Sequence, residues 1–328
     1  MTHFFTQALR PRYSVSSLLA LTGLLITGCE APLELEAVHE QASQPLQRTD
    51  FYQAMADNGE LTLLAGNNGT LLSSRDGGNS WQRQALNTSE SFIDLASCPD
   101  NSFIALSFDN HLWHGDGQTW QSHELPSGEQ MMTVACADNG WWVAGSFSTL
   151  QHSGDQGASW QESSLDEDAI ITNLQFLDAQ NAVATAEYGM VITSRNGGES
   201  WAVSGYLPDE FYPHASHFTS ASEGWVGGLN GFIYHTADGG ESWQRQHTDT
   251  QAPIFNFIDS PRGLLALGDN ATVLALSNTR WSSLNTPSIP LYLRAATTQG
   301  DTLIAAGGRG LLLRIALNDS ATPDTNNK

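Results

Sequence analysis

The feature that most constrains this chain is an eight-residue stretch that returns about every 40 residues. Ser74-Arg75-Asp76-Gly77-Gly78-Asn79-Ser80-Trp81 lies between two strand-like runs and reads as a hairpin turn. Asp76 can fold its carboxylate back onto the turn's own N–H groups, and glycine supplies the left-handed backbone that other residues adopt only at a cost. Trp81 then buries a large ring just beyond the turn. The pattern S-x-D-x-G-x-x-W recurs in full from Ser153 through Asp155 to Trp160. Asn196 replaces the acid in the copy ending at Trp201, and Thr236 replaces the serine in the copy with Asp238 and Trp243. Degenerate copies end at Trp120 and Trp281, so the six tryptophans are 39, 40, 41, 42 and 38 residues apart. A period near 40 with strand patterning marks a repeat architecture, and four-stranded propeller blades have that length.

The N-terminus is read separately from the fold. Arg10 and Arg12 precede a 13-residue apolar run, Ser14 to Ile26, too short to span a bilayer. The run ends Leu25-Ile26-Thr27-Gly28-Cys29, which resembles a bacterial lipoprotein signal with Cys29 as the lipidated new N-terminus; an incidental cysteine after an ordinary signal peptide is the alternative. Glu30 in place of Asp after the cysteine points to the outer membrane, with the protein facing the periplasm. Cleavage leaves 11 basic against 35 acidic residues, a net charge of −24, and the sequence has one lysine, Lys328. Such a chain is repelled by phosphate backbones, which argues against nucleic-acid binding.

Residues 30–44 are polar without a sustained period and read as a flexible tether. Seven units follow over 45–317, each with strands A, B and C, an Asp-box turn, and strand D carrying the tryptophan. The seventh has neither Asp box nor tryptophan, and 318–328 reads as a disordered tail. These units predict an all-β, seven-bladed propeller of four-stranded antiparallel blades, with Pro45–Arg48 supplying the missing outer strand of the last blade. Cys98 and Cys136 occupy matching positions in neighbouring units. A periplasmic setting permits a disulfide between them, and two buried small hydrophobes are the alternative.

In a propeller the B–C turns and D–A connections share one end, and the Asp boxes lie at the other. The boxes therefore read as scaffolding. The B–C end, where the repeats diverge, is the candidate binding face. Its residues are Glu187, Tyr188, Asp209, Glu210, Tyr212, Asp269 and Arg309, an acidic and aromatic set with Arg309 as the main cation. His214 and His217 have no third ligand at helical or hairpin spacing, so no metal is expected. No phosphate-binding glycine loop, calcium loop or G-x-S-x-G turn is present, and no cofactor or catalytic residue is assigned.

The repeat G-x-x-G-x-(apolar)-x-x-S/T-x-D-G-G-x-S-W, in Gly66 to Trp81, Glu187 to Trp201 and Gly228 to Trp243, resembles the photosystem II stability/assembly factor family of Asp-box (BNR) propellers. The resemblance covers residues 50–317 and implies a seven-bladed, non-enzymatic assembly factor that docks on membrane-protein precursors. It implies a protein partner in a membrane or envelope complex, here with a lipid-anchored monomer. Family members in photosynthetic organisms use a basic, arginine-rich patch, whereas arginine here is sparse and scattered. The wider Asp-box group includes sialidases, which makes glycoside hydrolysis the rival reading. A sialidase needs three clustered arginines and an F/Y-R-I-P segment, but Arg48 precedes Thr49-Asp50, and Arg75 and Arg195 lie inside Asp-box turns. A small hydrophobic or carbohydrate ligand in the channel mouth is a third reading.

Overall fold

The computed structural model describes residues 35–317. Cys29 with its signal segment, and the tail from 318, lie outside the described residues. Glu36–Ser43 forms a short helix where the sequence predicts an aperiodic tether. Glu36 in its first turn complements the positive end of the helix dipole. The body from Pro45 onward is a separate compact unit.

The first six repeats fold as antiparallel meanders in the order A, B, C, D, and the seventh as A, B, C. The A strands are Tyr52–Asp57, Phe92–Ser97, Met131–Ala137, Ile171–Phe176, Pro213–Phe218, Ile254–Ser260 and Leu293–Gln299. They neighbour one another in that order, and the last lies beside the first. Four sheets are four-stranded. The fifth and sixth meanders join into an eight-stranded sheet through a short parallel pairing of their D strands, His247 opposite Arg280 and Thr248 opposite Trp281. Beneath that junction Gln246 Oε1 accepts hydrogen bonds from both Trp225 Nε1 (3.1 Å) and Trp281 Nε1 (2.8 Å).

The core sits between adjacent sheets. B strands such as Thr62–Gly66, Phe103–Ser107, Ala182–Ala186 and Gly224–Gly228 are buried at every position, as their unbroken small and apolar runs require of a strand covered on both faces. Leu63, Leu71, Phe92 and Phe103 fill the gap between the first two sheets, and Tyr52, Leu64, Leu72 and Ile304 fill the gap between the last and the first. Each such leucine or phenylalanine contributes about 1.5–3 kcal/mol relative to exposure.

The expected closing strand is corrected. Pro45–Arg48 forms no strand, and the last sheet has three strands. Proline has no N–H to give a ladder, and side chains hold the segment instead. The Arg83 guanidinium donates to Pro45 O (2.8 Å) and pairs with the buried Asp50 carboxylate. Asp50 also accepts from Gln47 N–H (2.9 Å) and Tyr52 O–H (2.9 Å), and burial pushes the Tyr52 hydroxyl pKa up. Asp50 O then accepts from Gly310 N–H (2.8 Å) in the last repeat.

Cys98 and Cys136 form a disulfide across the A strands of the second and third repeats, with Cα atoms 5.0 Å apart. Of the two readings left open by sequence, the bridge is the one the structure adopts. One further device recurs: every A strand slips register near its start, which leaves one bulged residue per repeat. These are Gln53, Ile93, Met132, Thr172, His214, Phe255 and Arg294. A bulge re-aims the side chain it frees, and all seven line one central cavity.

Candidate functional site

At the B–C end, backbone geometry repeats while side chains do not. Six B–C turns place two successive residues in the left-handed region: Asn68-Gly69, Phe147-Ser148, Tyr188-Gly189, Asn230-Gly231, Asn270-Ala271 and Arg309-Gly310. Each is closed by an N–H to C=O bond from the residue after the pair to the residue before it, the type I′ arrangement. Asn-Gly suits that turn. Phe147, Tyr188 and Arg309 do not, and a side chain of that size at positive φ costs about 1–3 kcal/mol. At Gly310 a Cβ would fall 2.2 Å from Gln47 O, so the turn and the incoming chain are closely apposed.

The side chains on these turns are conspicuous. Seven large hydrophobic residues of the body are between 39% and 56% exposed: Phe51, Phe108, Phe147, Tyr188, Tyr206, Tyr212 and Leu229. All seven lie in B–C turns or D–A connections or at their edges, on one end of the body. Exposed acids accompany them: Asp166, Glu167 and Asp168 before the fourth A strand, and Asp209 and Glu210 before the fifth.

The structure brings five of the predicted face residues into one sector. The connection Leu207–Tyr212 lies against the fourth B–C turn, with Leu207 N–H donating to Gly189 O (2.7 Å). Buried Leu207 and Phe211 pin it, Phe211 packing edge-on against Tyr234 with centroids 5.0 Å apart. Asp209 and Glu210 are left in solvent beside Tyr188. Glu187 is committed locally: it accepts from Ile170 N–H (3.0 Å) and bonds to the Tyr212 hydroxyl, whose pKa is raised by burial and then by Glu187. Asp269 and Arg309 belong to the sixth and seventh repeats and sit outside this sector. Sequence reading places Tyr206 in a connection on this face but misses Phe51 and Phe108. It also missed the seven bulged residues, which share no residue type.

At the opposite end four turns share one bonding pattern. In the first box Ser74 Oγ donates to Asp76 (2.9 Å) and accepts from Gly78 N–H (2.8 Å), while Asp76 accepts from Ser80 N–H (2.9 Å) and Ser80 Oγ (2.6 Å). The boxes at Asp155, Asn196 and Asp238 repeat the pattern. The Ser80 and Ser242 hydroxyls hold the Asp76 and Asp238 carboxyls down to a pKa of about 2. Trp81 is buried behind its box, and Trp160, Trp201 and Trp243 are partly buried behind theirs.

Arginines are not clustered for carboxylate recognition. Arg83 holds Asp50 and Pro45, Arg245 lies over the Phe232 ring at 3.3 Å, and Arg314 donates to Gly77 O. His217 pairs with Asp259 at 3.0 Å, separate from His214, which stacks on Phe255. Among the described residues, no group of three or more His, Cys, Asp or Glu is placed to hold a metal.

A family model described as "Photosynthesis system II assembly factor YCF48" matches residues 160–279. Two curated relatives named "Photosystem II assembly lipoprotein Ycf48", from Synechococcus strains CC9902 and CC9605, are 26% and 31% identical over 152 and 150 residues. The match covers 44% and 42% of this chain and 45% and 44% of theirs, so the chain spans less than half the length of these relatives. Among solved structures, "YCF48 bound to D1 peptide" superposes with a TM-score of 0.67 over 84% of this chain and 94% of that one, at 18% identity. A streptogramin B lyase superposes with a TM-score of 0.71 over 84% of this chain and 95% of that one, at 11% identity, so the shared fold alone does not fix the activity. Taken with the Asp-box repeat and the ring of antiparallel sheets, these matches show a β-propeller fold and a chain similar, over part of its length, to the photosystem II assembly factor Ycf48.

Proposed function

We propose that this chain is a non-enzymatic, seven-bladed propeller, closed at its N-terminal segment, that is lipid-anchored through Cys29 and binds a protein partner in the cell envelope. It faces the periplasm, from the outer membrane, and assists assembly of a membrane complex. The observation that carries this reading is that, among the described residues of the body from Pro45 onward, the exposed large hydrophobic side chains all lie at the B–C end. Exposed apolar side chains gathered at one end mark interaction sites, and aromatic anchors dominate protein interfaces. The relatives' names, an assembly lipoprotein and a propeller bound to a D1 peptide, support the same class of role. The Asp boxes serve as scaffold, because all four spend their side chains on the same internal bonds.

The face differs chemically from a basic patch. Asp166, Glu167, Asp168, Asp209 and Glu210 surround the aromatics, which suits an apolar partner surface with basic flanks. The test is affinity purification of the native lipoprotein beside a Tyr188→Ala, Asp209→Ala, Glu210→Ala, Leu229→Ala variant. The reading predicts one membrane complex with wild type and its loss from the folded variant. Equal recovery from both would remove the face assignment.

A further inference from the structure

We propose that the central cavity at the B–C end is a binding site for a small, planar apolar carboxylate, held by Arg294 and His214. The cavity measures about 240 Å³. At ~30 Å³ per water-sized group, that is room for about eight such groups, the size of a single substituted ring. Its wall is built by the bulged residues and is largely polar, with Gln53, Thr172, Asn173 and Asn256 in the lining. Ile93 and Met132, from neighbouring A strands, offer an apolar side. His214, Phe255 and Arg294, from three successive A strands, offer an aromatic and cationic one.

Two groups in this wall are open to a ligand. His214 Nδ1 is buried and has no hydrogen-bond partner among the described residues. A buried polar atom left in that state has lost its hydration without a replacement bond. Arg294 is exposed into the cavity and forms no ion pair among the described residues. The cavity's own acid, Asp94, feels the charge of Arg294 but is not ion-paired with it among the described residues. The Asp94 carboxylate is held by Thr133 Oγ1 (2.8 Å), Val134 N–H (2.9 Å) and its neighbour Leu95 N–H (2.9 Å).

The guanidinium fork matches a carboxylate, and the stacked His214 and Phe255 rings, 9° from parallel with centroids 5.6 Å apart, give a ligand ring a flat surface. Burial, and then the charge of Arg294, lower the His214 pKa, so the imidazole is neutral near pH 7. A neutral imidazole can complete the site without adding a second positive charge. This inference stands apart from the protein-docking reading, which concerns the outer rim.

The probe pair is benzoate and benzamide, alike in shape and different in charge. Full-length lipoprotein in detergent is titrated with each and followed by saturation-transfer NMR. The expected result is saturable benzoate binding, about tenfold or more tighter than benzamide. Arg294→Gln removes that preference, while Arg309→Gln on the outer rim keeps it. His214→Phe retains the stack and weakens benzoate several-fold. Equal affinity for the two probes, no saturable benzoate binding by wild type, or a preference that survives in Arg294→Gln would each overturn the proposal. Should Arg294→Gln fail to fold, the benzoate-to-benzamide ratio on wild type still decides.

Discussion

The two ends of this propeller repeat in opposite ways. At the Asp-box end, residue type repeats because the bonds demand it. A hydroxyl must reach a glycine N–H, and a carboxylate or amide two residues on must reach two groups of one serine. At the B–C end the backbone repeats just as closely, with paired left-handed residues in six turns, yet the residues filling it are Asn, Phe, Tyr and Arg. Where a turn prefers Asn-Gly and carries Phe147-Ser148 instead, local stability is not what selected the side chain. On the proposed reading, one end holds the ring and the other presents the binding face.

The largest expected effect is on the holding end. The Cys98–Cys136 bridge links residues 38 apart, and a crosslink closing a loop of that length contributes about 4 kcal/mol. Cys98→Ser with Cys136→Ser should lower the melting temperature and the urea midpoint, with partner recovery unchanged where the variant is folded. Loss of recovery from a folded variant would blur the division between the ends. Asp155→Ala comes next. It strips the acceptor from Ser153 Oγ, Ser159 N–H and Ser159 Oγ and should lower the urea midpoint, by less than loss of the disulfide does. Asp155→Asn should cost less, because Asn196 makes the same contacts in the next repeat.

On the presenting end the sign reverses. Phe147→Asn places a residue suited to positive φ at its turn and should stabilise the fold by about 1 kcal/mol while weakening partner capture. A destabilised Phe147→Asn would show that packing, rather than presentation, keeps the phenylalanine there. The smallest effect is acid sensitivity. Asp76 and Asp238 titrate at about 2 when folded, below the ~3.9 of an unfolded chain. Their contribution is therefore full above pH ~4 and is lost as pH falls through about 2. Both carboxyls are in solvent, so the effect is modest. The stability gap between wild type and an Asp76→Asn, Asp238→Asn variant should narrow between pH 6 and pH 2.5.

What sequence makes legible follows the same division. The Asp boxes fix both residue type and spacing, so their strands, their period and the predicted bond from Asp76 to its own turn can be read directly. The B–C end could be located from the meander, and Tyr188, Asp209, Glu210 and Tyr212 do meet there. The bulges could not be read, because a bulge is a property of register: Gln53, Ile93, Met132, Thr172, His214, Phe255 and Arg294 share no residue type. The closing segment was read as a strand from the count of missing strands. That count could not foresee that Arg83 would take Pro45 O and Asp50 into a clamp. The disulfide was open for a related reason, since a Cα separation of 5.0 Å depends on how neighbouring A strands are staggered.

The most direct test of the account places a photo-crosslinking amino acid at Tyr188 on one end or at Asn79, an exposed Asp-box residue, on the other, in otherwise native lipoprotein in cells. The account predicts one crosslinked envelope protein from position 188, absent from position 79 and lost when Phe147 and Leu229 are also changed to alanine. The same adduct from both positions, or from position 79 alone, would contradict the assignment of binding to the aromatic end.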